Sequence, residues 1–151
     1  PSDTIRCMQL PLKDLQILIP NSAVAEIIAY SQPERKGSEW LDGMIFWRGM
    51  TIPIVSLEKM CQRESVEPGS RSRIAVIYNV EKDTELPYVG IILQDIPRAY
   101  LAEVERMQDV VDAPDCPYLQ CKADMMIDQL MIPDMDAIMA SVKQKAKGLS
   151  V

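Results

Sequence analysis

The sequence predicts a mainly β protein, built as small barrels or a sandwich, and three observations favour this fold class. Short apolar runs of strand length follow one another along the chain, separated by residues typical of turns. One amphipathic helix fits the C-terminal part. A weak internal repeat places a strand, a turn, an Ile-Pro step and a helix in each half, which suggests two similar sub-barrels.

The N-terminal half contains the clearest predicted hairpin. Strands are expected at "TIRCMQL" and "LQILIP", and "AVAEIIAY" fits a helical turn that continues as a strand. The runs "MIFW" and "MTIPIV" flank Arg48 and Gly49, which we expect to form a two-residue connection because Gly49 accepts a positive φ. Pro53 has no amide donor, so its strand is expected at a sheet edge or a bulge.

The C-terminal half continues with the predicted strands "RIAVIYNV" and "YVGIIL", joined by the polar stretch "EKDTEL". Residues 109–117 are rich in Pro and Asp and predict an irregular connection. A last hairpin is expected within "YLQCKADMMIDQLMIP". A helix should then begin at Asp134, because apolar residues follow with i, i+3, i+4, i+7 spacing: Met135, Ile138, Met139 and Val142.

The internal repeat bears on the arginine of the first hairpin. Aligning Pro53 with Pro133 superposes "FWRGMTIPIVSLEKM" on "IDQLMIPDMDAIM", and places Arg48-Gly49 opposite Asp128-Gln129. If both copies form the same hairpin, the architecture does not require Arg-Gly. An exposed ion pair contributes only about 0.2–1 kcal/mol to folding, whereas a desolvated interface arginine can contribute roughly 2 kcal/mol or more to binding. This comparison favours a binding role for the arginine.

Composition and charge exclude several function classes. The 151 residues suit one domain, or two half-domains that share a core. The net charge of −6 argues against nonspecific nucleic-acid binding, which needs a basic face. The apolar runs are too short to cross a bilayer, and no basic segment followed by an apolar region begins the sequence. A cytoplasmic location is expected.

The residue types that usually carry catalysis or hold metals are missing or poorly spaced. There is no histidine, which excludes Ser-His-Asp and Cys-His nucleophiles, and no phosphate-binding glycine loop. The four cysteines contain no C-x-x-C pair, so Cys7, Cys61, Cys116 and Cys121 are expected to be reduced thiols. No catalytic, cofactor or metal residue is therefore predicted, and three classes stay open: an interaction protein, a small-ligand-binding β-barrel, and an enzyme that uses carboxylates alone.

Three stretches together resemble a known family. "VAEII" at 24–28, "GMIFWRGMTIPIVSL" at 43–57 and "PYVGIIL" at 87–93 resemble the CheW-like domain, the adaptor of bacterial chemotaxis arrays. The resemblance covers nearly all of residues 1–151 as one domain, although Ser56 stands where the family usually has Asp. Trp47 and the following "SLEKM" are similar to adaptors of type IV pilus (twitching motility) systems. The matching positions are Val24, Glu26, Ile27, Gly43, Arg48, Gly49, Pro53, Ile54, Val55, Leu57, Val89 and Gly90.

The resemblance implies two intertwined five-stranded SH3-like β-barrel subdomains that exchange strands, with short helices and a C-terminal helix. It implies no catalysis and no cofactor, and two partners: a chemoreceptor's cytoplasmic tip and the regulatory domain of a CheA-like histidine kinase. The protein would then reach the membrane only through receptor arrays.

The family positions that match Val24, Glu26, Gly43 and Arg48 are implicated in receptor coupling, and we expect Trp47 and Gly49 to belong to the same surface. We also expect Glu26 to pair with Arg48 and fix its guanidinium for a partner. Two alternatives stay open for Trp47 and Trp40, which are either core residues or exposed anchors. The glycines are expected to serve the backbone, with Gly43 allowing a helix to approach closely.

Overall fold

The computed structural model describes residues 3–83, 85–106, 115–124 and 126–147, apart from the side chains of Arg106 and Asp128. Within these ranges eleven strands, two 3-10 turns and two α-helices follow one another. The strands are β1 (Thr4–Leu12), β2 (Leu15–Pro20), β3 (Val24–Ala29), β4 (Arg35–Lys36), β5 (Leu41–Trp47), β6 (Met50–Val55), β7 (Arg73–Tyr78), β8 (Tyr88–Leu93), β9 (Arg98–Glu103), β10 (Leu119–Asp124) and β11 (Ile127–Pro133). The helices are α1 (Leu57–Met60) and α2 (Met135–Ala146), and the 3-10 turns are Asn21–Ala23 and Val104–Arg106.

The strands form two sheets. The first sheet has the order β10-β11-β2-β1-β9, and the second has the order β3-β7-β8-β6-β5-β4. Neighbours are antiparallel except β11 beside β2 and β6 beside β8. The mainly β fold with a C-terminal helix is confirmed. The two-residue β4 gives the second sheet a sixth strand, and β9 was not predicted from the sequence because most of its side chains face solvent and leave little apolar alternation.

The two sheets share one connectivity, which confirms the intertwined arrangement. In the six-stranded sheet, β3, β5, β6, β7 and β8 follow in chain order. The five-stranded sheet repeats that arrangement with β9, β10 and β11, and then takes β1 and β2 from the start of the chain. In each sheet the second strand of one hairpin lies parallel to the second strand of another: β6 beside β8, and β11 beside β2. The N-terminal hairpin therefore completes the sheet that the C-terminal strands begin.

Three apolar clusters hold these layers together. One cluster lies on a face of the six-stranded sheet and includes Ile45, Trp47, Ile52 and Ile54. A smaller cluster lies on the five-stranded sheet around Leu18. The largest joins β1 and β2 to β7, β8 and α2, so it buries residues from both sheets together. Each fully buried aliphatic side chain in it contributes about 1.5–3 kcal/mol relative to exposure.

Both helices begin at residues that the sequence supplies as caps. The side chain of Asp134 accepts a hydrogen bond from the amide of Ala137 at the start of α2. The Ser56 hydroxyl accepts from the amide of Lys59 at the start of α1. Serine and aspartate are both good N-caps, so Ser56 keeps the local structure where the family pattern has Asp.

Two expectations about the strands need correction. The strand of Pro53 is not at a sheet edge, since β6 lies between β5 and β8. The alternative of a bulge is nearer to the structure, because the β5–β6 pairing is irregular between Leu41 and Gly43, next to Ile54 and one step from the Pro53–Met44 pair. Pairing with β8 is confined to Ile54 and Val55, so no ladder bond is required of Pro53 on that side. The repeat alignment was also shifted: β10 and β11 pair Asp124 with Ile127, so the second hairpin turns before Asp128-Gln129, which lie inside β11.

The cysteines depart from the expectation of four reduced thiols. Cys61 and Cys116 form a disulfide, with their Cα atoms 5.2 Å apart. The two residues are 55 positions apart in sequence and belong to segments of different sheets, since Cys61 follows β6 and α1 and Cys116 precedes β10. Cys7 is a buried thiol, and burial raises its pKa.

Candidate partner-binding surface

The Arg48-Gly49 turn is tighter and more strained than the sequence indicated. Trp47 and Met50 form the last pair of the β5–β6 hairpin, as expected for a two-residue connection. Both turn residues have positive φ, 47° at Arg48 and 80° at Gly49, which is the pattern of a type I′ turn. The sequence pattern had indicated positive φ for the glycine alone. A left-handed conformation costs a non-glycine residue roughly 1–2 kcal/mol. The turn geometry therefore does not favour an arginine at this position.

The arginine is held by two neighbours. Its Nη2 lies 3.1 Å from Oε1 of Glu26, which confirms the expected pairing. The Trp47 Nε1 donates to the same carboxylate oxygen at 3.0 Å, and the Arg48 Cζ lies 4.7 Å from the centroid of the Trp47 ring. The arginine and glutamate side chains are 60% and 39% exposed, so this pair contributes only about 0.2–1 kcal/mol to folding. The contacts orient the guanidinium, and the arginine side chain remains largely exposed.

Trp47 is a core residue, which settles one of the two alternatives. Its side chain is buried in the cluster inside the six-stranded sheet and meets Tyr88 edge-on, with centroids 4.8 Å apart. Tyr88 contacts Tyr78, whose side chain is partly exposed. Trp47 therefore offers the surface only its indole N–H and one ring face. This makes it a support for Arg48.

Phe46 is an exposed aromatic that sequence reasoning did not single out. Its side chain is 64% exposed, while Ile45 and Trp47 on either side are buried. Strand alternation carried the signal, because two inward residues in "IFW" place the middle one outward. Exposed aromatic side chains are typical of interfaces.

Strand β3 adds a half-buried apolar stripe beside the ion pair. It is an edge strand of its sheet, and every residue from Val24 to Ile28 is only partly covered. Val24 and Ile27 pack against the largest cluster together with Met8 of β1. The structure therefore joins Glu26 to the Arg48-Gly49 turn, whereas Val24 and Ile27 lie on the opposite face of β3. We define the contact stripe as Glu26, Arg48, Ile28 and Met50, because Ile28 and Met50 pack on the cluster that contains Trp47.

Gly43 lies away from this stripe, near the other end of β5. A Cβ atom there would lie 2.2 Å from the carbonyl oxygen of Arg35 and 2.5 Å from the Cβ of Pro33. The close neighbour is thus the β4 segment, and the expected helix is not there. Trp40 is half-buried against the largest cluster, with the Lys145 Nζ 5.3 Å from its ring centroid. It is therefore no exposed anchor.

Among the described residues, no group of three or more histidine, cysteine, aspartate or glutamate side chains is placed to hold a metal ion. None of the helices in the described part of the chain is both long and apolar enough to cross a bilayer.

Comparisons with known proteins agree with this architecture. The family model of the CheW-like domain matches residues 6–143. The fold is similar to the crystal structure of the scaffolding protein TtCheW from Thermoanaerobacter tengcongensis, with a TM-score of 0.71 and 14% sequence identity over 87% of this chain and 90% of that chain. Among curated proteins, none matches the sequence. The family model covers most of the chain, and the chain belongs to the CheW-like domain family.

Proposed function

We propose that this protein is a noncatalytic signalling adaptor that couples the cytoplasmic tip of a methyl-accepting chemoreceptor to the regulatory domain of a CheA-like histidine kinase. Its residues 1–151 would act as a single CheW-like domain in the cytoplasm, at the membrane only through receptor arrays. Membership of a family of chemotaxis scaffolds supports the signalling role. The observation that carries the receptor contact is Arg48, held in a left-handed turn by Glu26 and Trp47.

The contact stripe has the chemistry that an amphipathic helical tip requires. Ile28 and Met50 are partly exposed and pack on the cluster that contains Trp47, so they can cover the apolar face of a helix without reorganisation. Arg48 stands beside them as a cation for a carboxylate or a helix C-terminus on the partner. A Cβ atom added at Gly49 would have no neighbouring atom within 4 Å, so the turn leaves room for a partner backbone.

The kinase would dock elsewhere, on an end of one sub-barrel, as the family resemblance implies. Simultaneous binding of both partners would place the kinase and the receptor at high mutual effective concentration. The receptor could then shift the kinase between its states by differential binding. The adaptor needs no catalytic group for this role.

Within the family we propose the type IV pilus subgroup. Trp47 directly before Arg-Gly and the following "SLEKM" support this assignment. A direct test compares the kinase regulatory domains of pilus and flagellar systems as bait for the purified adaptor. Retention by the pilus bait at a Kd at least tenfold lower supports the subgroup, whereas equal or weaker retention contradicts it.

A pull-down with a receptor-tip fragment and a kinase regulatory-domain fragment tests the adaptor role. We expect the Arg48→Glu variant to fold normally, to lose receptor binding and to retain kinase binding. Arg71→Glu is the matched control, because Arg71 is 67% exposed and forms a similar ion pair with Asp95. That pair lies beyond the ends of β7 and β8 that face away from the hairpin turn. Unchanged receptor binding by Arg48→Glu would refute the assignment.

One further feature keeps a small-ligand-binding function as the second candidate. An open cleft of about 760 Å³ lies between the β5–β6 hairpin, the start of β8 and the end of α2. Its lining includes Met44, Pro53 and Tyr88 together with charged side chains of both signs. A metabolite library screened by ligand-observed NMR would identify a ligand. Loss of that ligand's binding in Met44→Trp, which fills the cleft, would support this second function.

A further inference from the structure

We propose that Cys61 and Cys116 form a reversible thiol–disulfide switch that fastens the two sheets to each other. Cys61 caps the end of α1, which follows β6 of the six-stranded sheet, and Cys116 stands three residues before β10 of the five-stranded sheet. The bond therefore crosses between segments of the two sheets. No other pair of cysteines in the described chain is bonded.

Local contacts keep the two sulfur atoms adjacent without the bond. Arg63 Nη2 lies 3.2 Å from Oδ1 of Asp115, and these two residues are close neighbours in sequence of Cys61 and Cys116 respectively. The amide of Cys61 donates to the Leu57 and Glu58 carbonyls in α1, and the carbonyl of Cys116 accepts from the amide of Leu119. Reduction would leave both thiols in place, ready to reoxidise.

The two sheets are also joined by packing that does not involve the bond. Cys116 is 3% exposed and belongs to the largest apolar cluster, which already joins both sheets through more than twenty side chains, Leu57 and Met60 of α1 among them. Disulfides are needed for folding mainly in small secreted domains with insufficient cores. We expect a core of this size to fold with the cysteines reduced, which would leave the bond free to serve regulation.

The two sulfurs differ in access, which assigns their roles. Cys61 is partly exposed and Cys116 is buried. A peroxide would react with the Cys61 thiolate: the sulfur attacks one oxygen, the O–O bond breaks, a sulfenic acid forms, and the released hydroxide takes up the proton that the thiol had lost and becomes water. The Cys116 thiol then attacks the Cys61 sulfur, which forms the S–S bond and releases a second water. A dithiol reductant reverses the reaction by attacking Cys61, leaving two thiols and its own disulfide.

The regulatory meaning rests on the proposed function, because a cytoplasmic adaptor works where disulfides are transient and redox-sensing. The switch lies at the far end of the six-stranded sheet from the Arg48 turn, since β6 runs away from that turn to α1. It would therefore set the rigidity of the junction between the sheets without disturbing the ion pair.

Thiol counting on the purified protein tests the switch independently of any partner. After hydrogen peroxide treatment we expect two thiols per chain in denaturant, and after incubation of the folded protein with thioredoxin and its reductase we expect four. Hydrogen exchange of α1 and β10 should be at least severalfold slower in the oxidised form. Cys61→Ser should abolish both changes, and Cys121→Ser should abolish neither.

Two results would overturn the switch. Four thiols after stoichiometric peroxide would show that the bond does not form. Two thiols after thioredoxin treatment of the folded protein would show a permanent structural disulfide. Either result leaves the pull-down with receptor and kinase fragments unaffected, so failure of the switch is distinguishable from failure of the adaptor function.

Discussion

The strained arginine allows stability and binding to be separated in one substitution, Arg48→Asn. Asparagine tolerates positive φ, and Asn-Gly is a preferred type I′ pair, so the change removes most of a strain of roughly 1–2 kcal/mol. It also removes an exposed ion pair worth about 0.2–1 kcal/mol and a cation–π contact worth about 0.5–1 kcal/mol. These effects offset each other, so we expect the free energy of unfolding to change by less than about 1 kcal/mol.

Binding should respond very differently. A desolvated interface arginine contributes roughly 2 kcal/mol, so the Kd for the receptor-tip fragment should rise about 30-fold. Urea denaturation followed by far-UV circular dichroism gives the unfolding free energy, and isothermal titration calorimetry gives the Kd. Arg71→Asn, at an ion pair of similar exposure, controls for the loss of surface charge and should leave the Kd unchanged.

Two outcomes would refute this reasoning about Arg48. A loss of unfolding free energy above about 2 kcal/mol would mean that the arginine mainly stabilises the hairpin. An unchanged Kd with unchanged stability would mean that the side chain contacts no receptor. In either case the left-handed arginine would need another explanation.

Three further outcomes follow from particular contacts. Gly43→Ala should lower the unfolding free energy by about 1–3 kcal/mol in urea denaturation, because the new Cβ would clash with the β4 backbone, whereas Gly69→Ala, in open space, should change it by less than about 0.5 kcal/mol. Glu58→Ala should lower the melting temperature, because the buried carboxylate accepts hydrogen bonds from the Lys13 backbone amide and the Gln94 side-chain amide. Each donor left unpaired costs about 1–3 kcal/mol. A melting temperature equal to that of the wild type would contradict this expectation. The hydrogen bond from Lys143 lowers the pKa of Asp83 in the folded state. The ionised Asp83 therefore stabilises the fold above its unfolded pKa, and this stabilisation is lost as the pH falls through the lower folded pKa. Asp83→Asn should flatten this acid part of the curve of unfolding free energy against pH, and an unaltered curve would disprove the linkage.

The sequence predicted those parts of the fold that depend on local pattern. The β5–β6 hairpin, the last hairpin and α2 with its Asp134 cap all formed as expected, because alternation, a glycine turn and helical spacing are local signals. Strand β9 was not predicted, because Leu101 and most of its neighbours are exposed on an edge strand and leave little apolar alternation. The pairing of Cys61 with Cys116 was not predicted either, because 55 residues separate the two and no local pattern links their segments.

The candidate site was predictable in its members and less so in its geometry. Family motifs brought Glu26 and Arg48 together correctly. No sequence signal indicated that the Trp47 indole would donate to the same carboxylate, because that contact depends on how β3 lies relative to the end of β5. The shifted repeat alignment shows a related limit. Matching prolines do not mark matching positions when one hairpin has longer strands, so the Asp128 comparison carried no information on Arg48.

The central claim is that one small protein joins a receptor to a kinase, and co-sedimentation tests it most directly. Vesicles that display receptor tips are mixed with the soluble kinase and the adaptor, then pelleted. We expect the kinase to pellet with wild-type adaptor and with Arg71→Glu, and to stay in the supernatant with Arg48→Glu or without adaptor. Kinase that stays in the supernatant with wild-type adaptor, or that pellets equally with Arg48→Glu, would contradict the account.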